Sequence, residues 1–213
     1  GGALVVAEEP PIFTDFEDAA DPLADYLNTT WGILLSEDLV VDTQMESNLE
    51  AIAVQYASHP ITEKLQGVSV IFPTARSVQV VTVDSLTARS TPLLYTAPYD
   101  TTWAETDMVA LADGDVIADP DTDLLGPVPI LAAGEDVDSG ARVVVFGDAD
   151  FASNVNFYVQ NNGQLLINAI DWATEQEDII NLTPRATTSR ILLPPFPLYA
   201  NLIVLVSVCL IPG

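Results

Sequence analysis

Positive charge is what this chain most lacks. Lysine and arginine supply 6 of its 213 residues, against 31 aspartates and glutamates, for a net charge of -25. A nucleic-acid interface needs a basic footprint to meet phosphates, so that class is excluded. Docking of the domain face on anionic lipid is disfavoured for the same reason. Cysteine is nearly absent too. Cys209 stands alone near the carboxyl end, which excludes an intrachain disulfide and a cysteine metal site. His59 is the only histidine and has no second histidine with which to share a zinc ion. The chain carries no Gly-x-Ser-x-Gly elbow, no Walker lysine motif, no glycine-rich dinucleotide loop and no internal repeat. No cofactor and no metal are expected.

What is present points to a folded domain. Hydrophobic residues make up 49% of the chain, enough for a sizeable core and too many for disorder. The length suits one ordinary domain, or one and a half small ones. The acids are scattered along the chain, as in a solvated surface adapted to high salt, where self-repulsion is screened. Attraction of cations or of a basic partner is the alternative.

The carboxyl end differs from the rest. No charged residue occurs from Ile191 to Gly213, and Leu202 to Ile211 is almost wholly apolar. A membrane span needs roughly 17–25 mostly apolar residues, and this segment has that length, although Pro194, Pro195 and Pro197 interrupt its first part. The expected organisation is a domain at 1–183, a juxtamembrane linker at 184–195 and a transmembrane helix at 196–213, cut within the anchor. A buried terminal helix or strand is the alternative. Arg185 and Arg190 precede the segment, but long translocated domains escape the charge rule for orientation. The start, Gly1 to Ala7, has no basic region of the secretory type and reads as a turn feeding a buried strand. The chain is therefore expected to begin, as well as end, in mid-protein. Asn28-Thr29-Thr30 and Asn181-Leu182-Thr183 fit the glycosylation acceptor pattern, which is common by chance.

Strands are expected at Ala3–Ala7, 38–42, 52–56, 68–72, 78–83, 91–96 and 142–146. Pro92 marks 91–96 as an edge strand. Asp21-Pro22 opens a helix with a capping carboxylate and a first-turn proline, Leu23, Tyr26, Leu27 and Trp31 share its inward face, and Gly32 closes it. His59-Pro60-Ile61-Thr62 turns into a short helix through Leu65. Asp100–Ala133, rich in Asp, Gly and Pro, reads as long loops. A helix is expected at 163–175, with Leu165, Leu166, Asn168, Ala169, Ile170 and Trp172 around an inward stripe. The alternation of helix and strand near the start predicts an α/β layer fold.

Asp148, Asp150, Ser153 and Asn154 follow the 142–146 strand, where ligands bind in open α/β sheets. Two carboxylates with polar neighbours could hold Mg²⁺ or Ca²⁺ through oxygen; alternatively Asp148 and Asp150 cap orphan amides of the turn. Asp119-Pro120-Asp121-Thr122-Asp123 starts like a calcium loop, but Leu124 and Ile130 stand where Gly and Glu are required. His59, before Pro60, reads as a turn cap, and no positioned nucleophile accompanies it. Glu105, beside Trp103, is a candidate acid without a partner in sequence, and Ser153 has no evident base near it.

Several segments together resemble a family. They are Gly1-Gly2 leading into an apolar strand, Asp21 to Leu27 with Trp31-Gly32-Ile33, Asp38 to Asp42, Tyr56, and His59 to Thr62. Further on come Phe72-Pro73 with Ala75-Arg76-Ser77, Trp103-Ala104-Glu105, Val143 to Asn154, and Asn168 to Trp172. Their order, spanning nearly the whole chain, is similar to the auxiliary component of ABC-type transport systems, the GldG-like family linked to gliding motility. The resemblance implies a Rossmann-like α/β domain, flavodoxin- or glutamine-amidotransferase-like, with a β-rich insertion and a relation to intraflagellar-transport proteins. It implies a domain held outside the cytoplasm at the cell membrane, partnering an ABC permease and ATPase. The domain lacks a nucleophilic cysteine, which favours binding over hydrolysis, with Asp148, Asp150, Ser153, Asn154, His59, Trp103 and Glu105 as the surfaces concerned. A membrane-tethered hydrolase or metal-dependent carbohydrate-active enzyme using Asp148 and Asp150 is the alternative. A surface protein of a salt-loving organism is a third.

Overall fold

The structure, a computed structural model, describes residues 1–14, 20–83, 85–98, 101–114 and 117–175. All of them lie in one compact unit, Gly1–Ile179. The expected linker at 184–195, the expected span at 196–213, Cys209 and the Asn181 acceptor triplet lie outside the described residues. Among the described residues no helix is long and apolar enough to cross a membrane.

In chain order the elements are β1 (Ala3–Ala7), α1 (Pro22–Tyr26) continued by a wide turn at Leu27–Trp31, β2 (Ile33–Leu35), β3 (Leu39–Asp42), β4 (Ala51–Tyr56), β5 (Val70–Phe72), β6 (Val78–Val80), β7 (Ala88–Thr96), β8 (Thr102–Glu105), α2 (Met108–Ala112), β9 (Leu124–Leu125), β10 (Pro129–Asp136), β11 (Arg142–Phe146) and α3 (Asn162–Ala173). They form a six-stranded sheet in the order β1-β11-β10-β7-β4-β5, a β2-β6 ribbon and a three-stranded β3-β8-β9 sheet.

This overturns the Rossmann-like, flavodoxin- or amidotransferase-like expectation. Among the described residues only β1 and β11 pair in parallel; β11–β10, β10–β7, β7–β4 and β4–β5 are all antiparallel. Parallel neighbours need a crossover of a dozen or more residues, usually a helix. From β4 to β11 the described helices are a single 3-10 turn at Glu63–Leu65 and α2, five residues long, so these strands fold back on one another. The β-rich stretch expected as an insertion instead supplies most of the sheet.

β11 is the centre of the core because the strand period of two divides its side chains between opposite faces. Val143 and Val145 pack with Val6, Leu27, Trp31, Ile33, Leu35, Val78 and Ala132. Val144 and Phe146 pack with Phe72, Leu131, Phe151 and the α3 residues Leu165, Ala169 and Trp172. Burying each such side chain is worth about 1.5–3 kcal/mol.

Local signals hold at the helix ends. Asp21 Oδ1 accepts the Leu23 and Ala24 amides at 2.9 and 3.0 Å, and Gly32 closes the turn at φ +64°. The inward stripe is narrower than expected: Leu27 and Trp31 are buried while Leu23 and Tyr26 are exposed, as is Ile170 on α3. Two further expectations fail. β7 lies inside the sheet despite Pro92, because Leu93 forms an irregularity between the Leu131–Leu94 and Ala132–Pro92 partners, and β4 pairs only from Leu94 onward. A bulge is where a strand tolerates proline. The expected loops of 100–133 include β8, all four of whose residues are buried between β3 and β9.

Candidate functional site

The carboxyl ends of β1 and β11 lie side by side, and the residues leaving them meet. Glu9 reaches across: its Oε1 accepts the Ala149 amide at 2.7 Å and the Asp150 amide at 3.0 Å, and its Oε2 accepts the Thr74 hydroxyl at 2.9 Å. Asp148 is fully buried beside it. Its Oδ1 accepts the amides of Asp150 at 2.5 Å and Phe151 at 3.3 Å, and its Oδ2 has no hydrogen-bond partner. Burial first, and the Glu9 charge second, push its pKa up to about 8, and the nearby amides only partly offset this. Two carboxylates from distant parts of the chain thus serve the orphan amides of one turn.

Two backbone contacts fix this corner. The Arg76 amide donates to the Gly147 carbonyl at 2.8 Å. A Cβ on Gly147 would collide with the Arg76 carbonyl oxygen, so only glycine allows this approach. The Arg76 side chain, also buried, donates from Nε to the Ser36 carbonyl at 2.7 Å and from its two terminal nitrogens to the Leu35 and Glu9 carbonyls at 3.1 and 3.4 Å. One guanidinium therefore ties the exits of β1 and β2 to the segment before β6.

Beside Arg76 opens a cavity of about 630 Å³, lined among others by Glu8, Asp21, Asp25 and Glu37. Glu8 and Asp21 both line it. Burial, then the hydrogen bond with Asp21 and its charge, raise Glu8 to about 7. Burial works against Asp21 as well, but the Glu8 hydrogen bond and the Ala24 and Leu23 amides prevail and lower its pKa. Glu8 therefore holds its proton more tightly than an ordinary glutamate, and Asp21 gives its proton up more readily than an ordinary aspartate. Two carboxyls pushed apart in this way are the kind of arrangement found at functional sites.

The residues singled out from sequence do not assemble into one site. Asp150 and Asn154 are exposed. Ser153 Oγ accepts from the Asn156 amide and side chain at 3.4 and 3.3 Å, so it shapes the turn. His59 Nδ1 accepts the Ile61 amide at 3.3 Å, and its ring stands edge-on to Trp172 at 4.7 Å. Trp103 and Glu105 point the same way from β8, where the indole donates to Glu105 Oε2 at 3.0 Å and Oε1 accepts the Asp107 amide at 2.8 Å. Asp123 folds inward to bind Thr106 and the Asp119 amide, which makes its acidic loop self-contained. Among the described residues no group of three or more His, Cys, Asp or Glu is placed to hold a metal.

With this geometry in place, comparison with known proteins adds the fold. No family model matches the chain, and no curated protein matches it. Among solved structures it is similar to one described as the mmIFT52 N-terminal domain, with a TM-score of 0.54 and 14% identity, over 80% of this chain. The chain matches 63% of that structure's length, less than two thirds. An identity of 14% shows likeness of fold alone. The description of that structure names no transporter component.

The sequence reading missed Glu8, Glu9, Asp21 and Arg76 as members of a site. Glu8 and Glu9 lie just past β1, where local spacing names no partner for them, and Asp21 reads only as a cap. The signal in the residues is Arg76 itself, a rare cation flanked by Ala75 and Ser77 in a strongly acidic chain.

Proposed function

We propose that this chain is a non-enzymatic auxiliary domain that acts by binding a partner protein. The observation that supports it is what the candidate carboxylates do. Asp148 and Glu105 are buried and committed to backbone amides or an indole, and Asp150 stands exposed with no acid–base partner aimed at it. That use of the carboxylates supports a scaffold role over turnover of a substrate. The partners implied by sequence resemblance are ABC permease and ATPase subunits, and that attribution rests on the quoted segments alone. Purification of the full-length protein from native membranes in mild detergent tests it. Stoichiometric recovery of an ATPase and a permease supports the reading, and recovery of the protein alone across several detergents and salt levels overturns it.

A second reading is favoured by one pair. If the chain is hydrolytic, the acid and base are Glu8 and Asp21 rather than Asp148 and Asp150, because Glu8 keeps its proton to about 7 beside an ionised neighbour. Glycoside and ester hydrolysis assayed with the native protein and Glu8→Gln decides this. Activity that Glu8→Gln abolishes, with folding intact, would establish it; no activity in the native protein would end it.

A further inference from the structure

The six-stranded sheet has two edges, β1 and β5, and the fold treats them differently. At β5 the outward groups are occupied. Asn162 accepts the Ile71 amide at 3.1 Å and donates to the Ile71 carbonyl at 2.8 Å, so a side-chain amide takes the place of a further strand. Asn161 donates to the Ser69 carbonyl at 3.2 Å and Tyr56 to the Val68 carbonyl at 2.7 Å. Only three residues long, this edge has no free ladder to offer.

At β1 nothing comparable occurs. The Arg142 amide donates to the Gly2 carbonyl and the Glu8 amide to the Phe146 carbonyl, so the even-numbered residues face β11. By the alternation of a parallel ladder, the N–H and C=O groups of Ala3, Val5 and Ala7 point away from the sheet. No backbone bond from a described residue meets them. Ala3 and Ala7 are exposed and Val5 half-buried. β1 contains no charge and no proline, and its register with β11 runs unbroken from Ala3 to Ala7. These are the devices by which proteins block edge pairing, and β1 has none of them.

Charge selects the occupant. The acid Glu9 follows the carboxyl end of β1, and there Asp21, whose pKa is lowered, carries the charge of the Glu8–Asp21 pair. At its other end Gly1 lies against Ser139 and Gly140, in the turn that carries Asp136 and Asp138. An uncharged ladder with acids at both ends repels a second copy of a chain of net charge -25 and attracts a strand with basic ends. We propose that the open edge of β1 receives an extended strand from a partner protein, flanked by lysine or arginine, which continues the sheet. This deepens the protein-binding reading and rests on it.

Amide hydrogen exchange on the full chain tests the proposal, with a short peptide of alternating Thr and Val, lysine at both ends, as the probe. Saturating peptide is expected to slow exchange at Ala3, Val5 and Ala7 by about tenfold or more while leaving Leu4 and Val6 unchanged. The same peptide with glutamate ends should fail at low salt. Ala7→Pro removes an outward N–H, leaves the β11 ladder in place and should abolish the slowing; Ala3→Pro serves if Ala7→Pro does not fold. No slowing at β1, equal slowing at Val70–Phe72, or protection that rises with protein concentration without peptide would each overturn the proposal. Its failure is separable from failure of the binding-domain reading: native partners that co-purify equally with Ala7→Pro would sink the edge and keep the domain's role.

Discussion

The Asn162 carboxamide pairs with both backbone groups of Ile71, accepting its N–H at 3.1 Å and donating to its carbonyl at 2.8 Å. Asn162 is fully buried at the start of α3, so this one side chain fastens the principal helix to the edge of the sheet. Replacing it leaves the Ile71 amide and carbonyl, half-buried at the sheet edge, without partners. Asn162→Ala is expected to lose about 1–3 kcal/mol of stability. Urea denaturation measures the loss, and amide exchange at Ile71 should accelerate before the rest of the sheet opens.

Arg76 holds three carbonyls from two separate segments, those of Glu9, Leu35 and Ser36. Arg76→Met keeps most of the volume and removes every donor. The expected cost is roughly 2–4 kcal/mol, because several buried acceptors lose their bonds together. Arg76→Lys should recover only part of it, since an ammonium cannot span the fork. Comparing the denaturation midpoints of the two variants checks the claim; equal stability of Arg76→Met and the native chain would refute it.

Stability should fall as pH rises through neutrality. Asp148 holds its proton to about 8 in the folded chain and to about 3.8 when unfolded, and Glu8 to about 7 against 4.5. Between those limits the folded state binds more protons, so the slope of stability with pH is negative there. Above about 8 the whole effect has been lost, and below the unfolded values it is fully present. Asp148→Asn keeps the Oδ1 acceptor and removes the buried charge. It should flatten the decline and be more stable than the native chain at pH 9 by about 1–3 kcal/mol. Thermal melts from pH 5 to 9 decide the matter, and parallel profiles for the two proteins would reject the assignment.

Gly147→Ala places a methyl group against the Arg76 carbonyl oxygen, a backbone atom that cannot rotate aside. Overpacking of this kind costs about 1–3 kcal/mol. The same substitution at Gly2, where nothing lies within 4 Å, should be close to neutral. A smaller loss at Gly147 than at Gly2 would contradict the close approach.

Some of this was legible in the residues. Ala3–Ala7 and 142–146 are short apolar runs bounded by breakers, and each is a strand with those limits. Asp21-Pro22 and Gly32 fixed the ends of the first helical segment through bonds spanning only a few residues. The alternative reading of Asp148, as a cap for orphan amides, was also open to local chemistry, because the amides of Asp150 and Phe151 that it binds are close in sequence. Periodicity said nothing about strand direction. The same apolar runs suit a parallel or an antiparallel neighbour, and the Rossmann-like expectation failed at that point.

The sequence by itself determined an acidic chain with a large apolar core, the positions of most strands, the helix caps and the lack of a basic or thiol chemistry. These are matters of composition and of contacts a few residues apart. Tertiary structure alone decided that β7 lies inside the sheet with Pro92 at a bulge, that Glu9 crosses to the turn after β11, and that Glu8 and Asp21 line one cavity beside Arg76. It decided too that one sheet edge is closed by Asn162, while at the other no described strand pairs with β1. Each depends on partners far apart in sequence, and the reach of a side chain across folded backbone is not written in the spacing of residues along the chain.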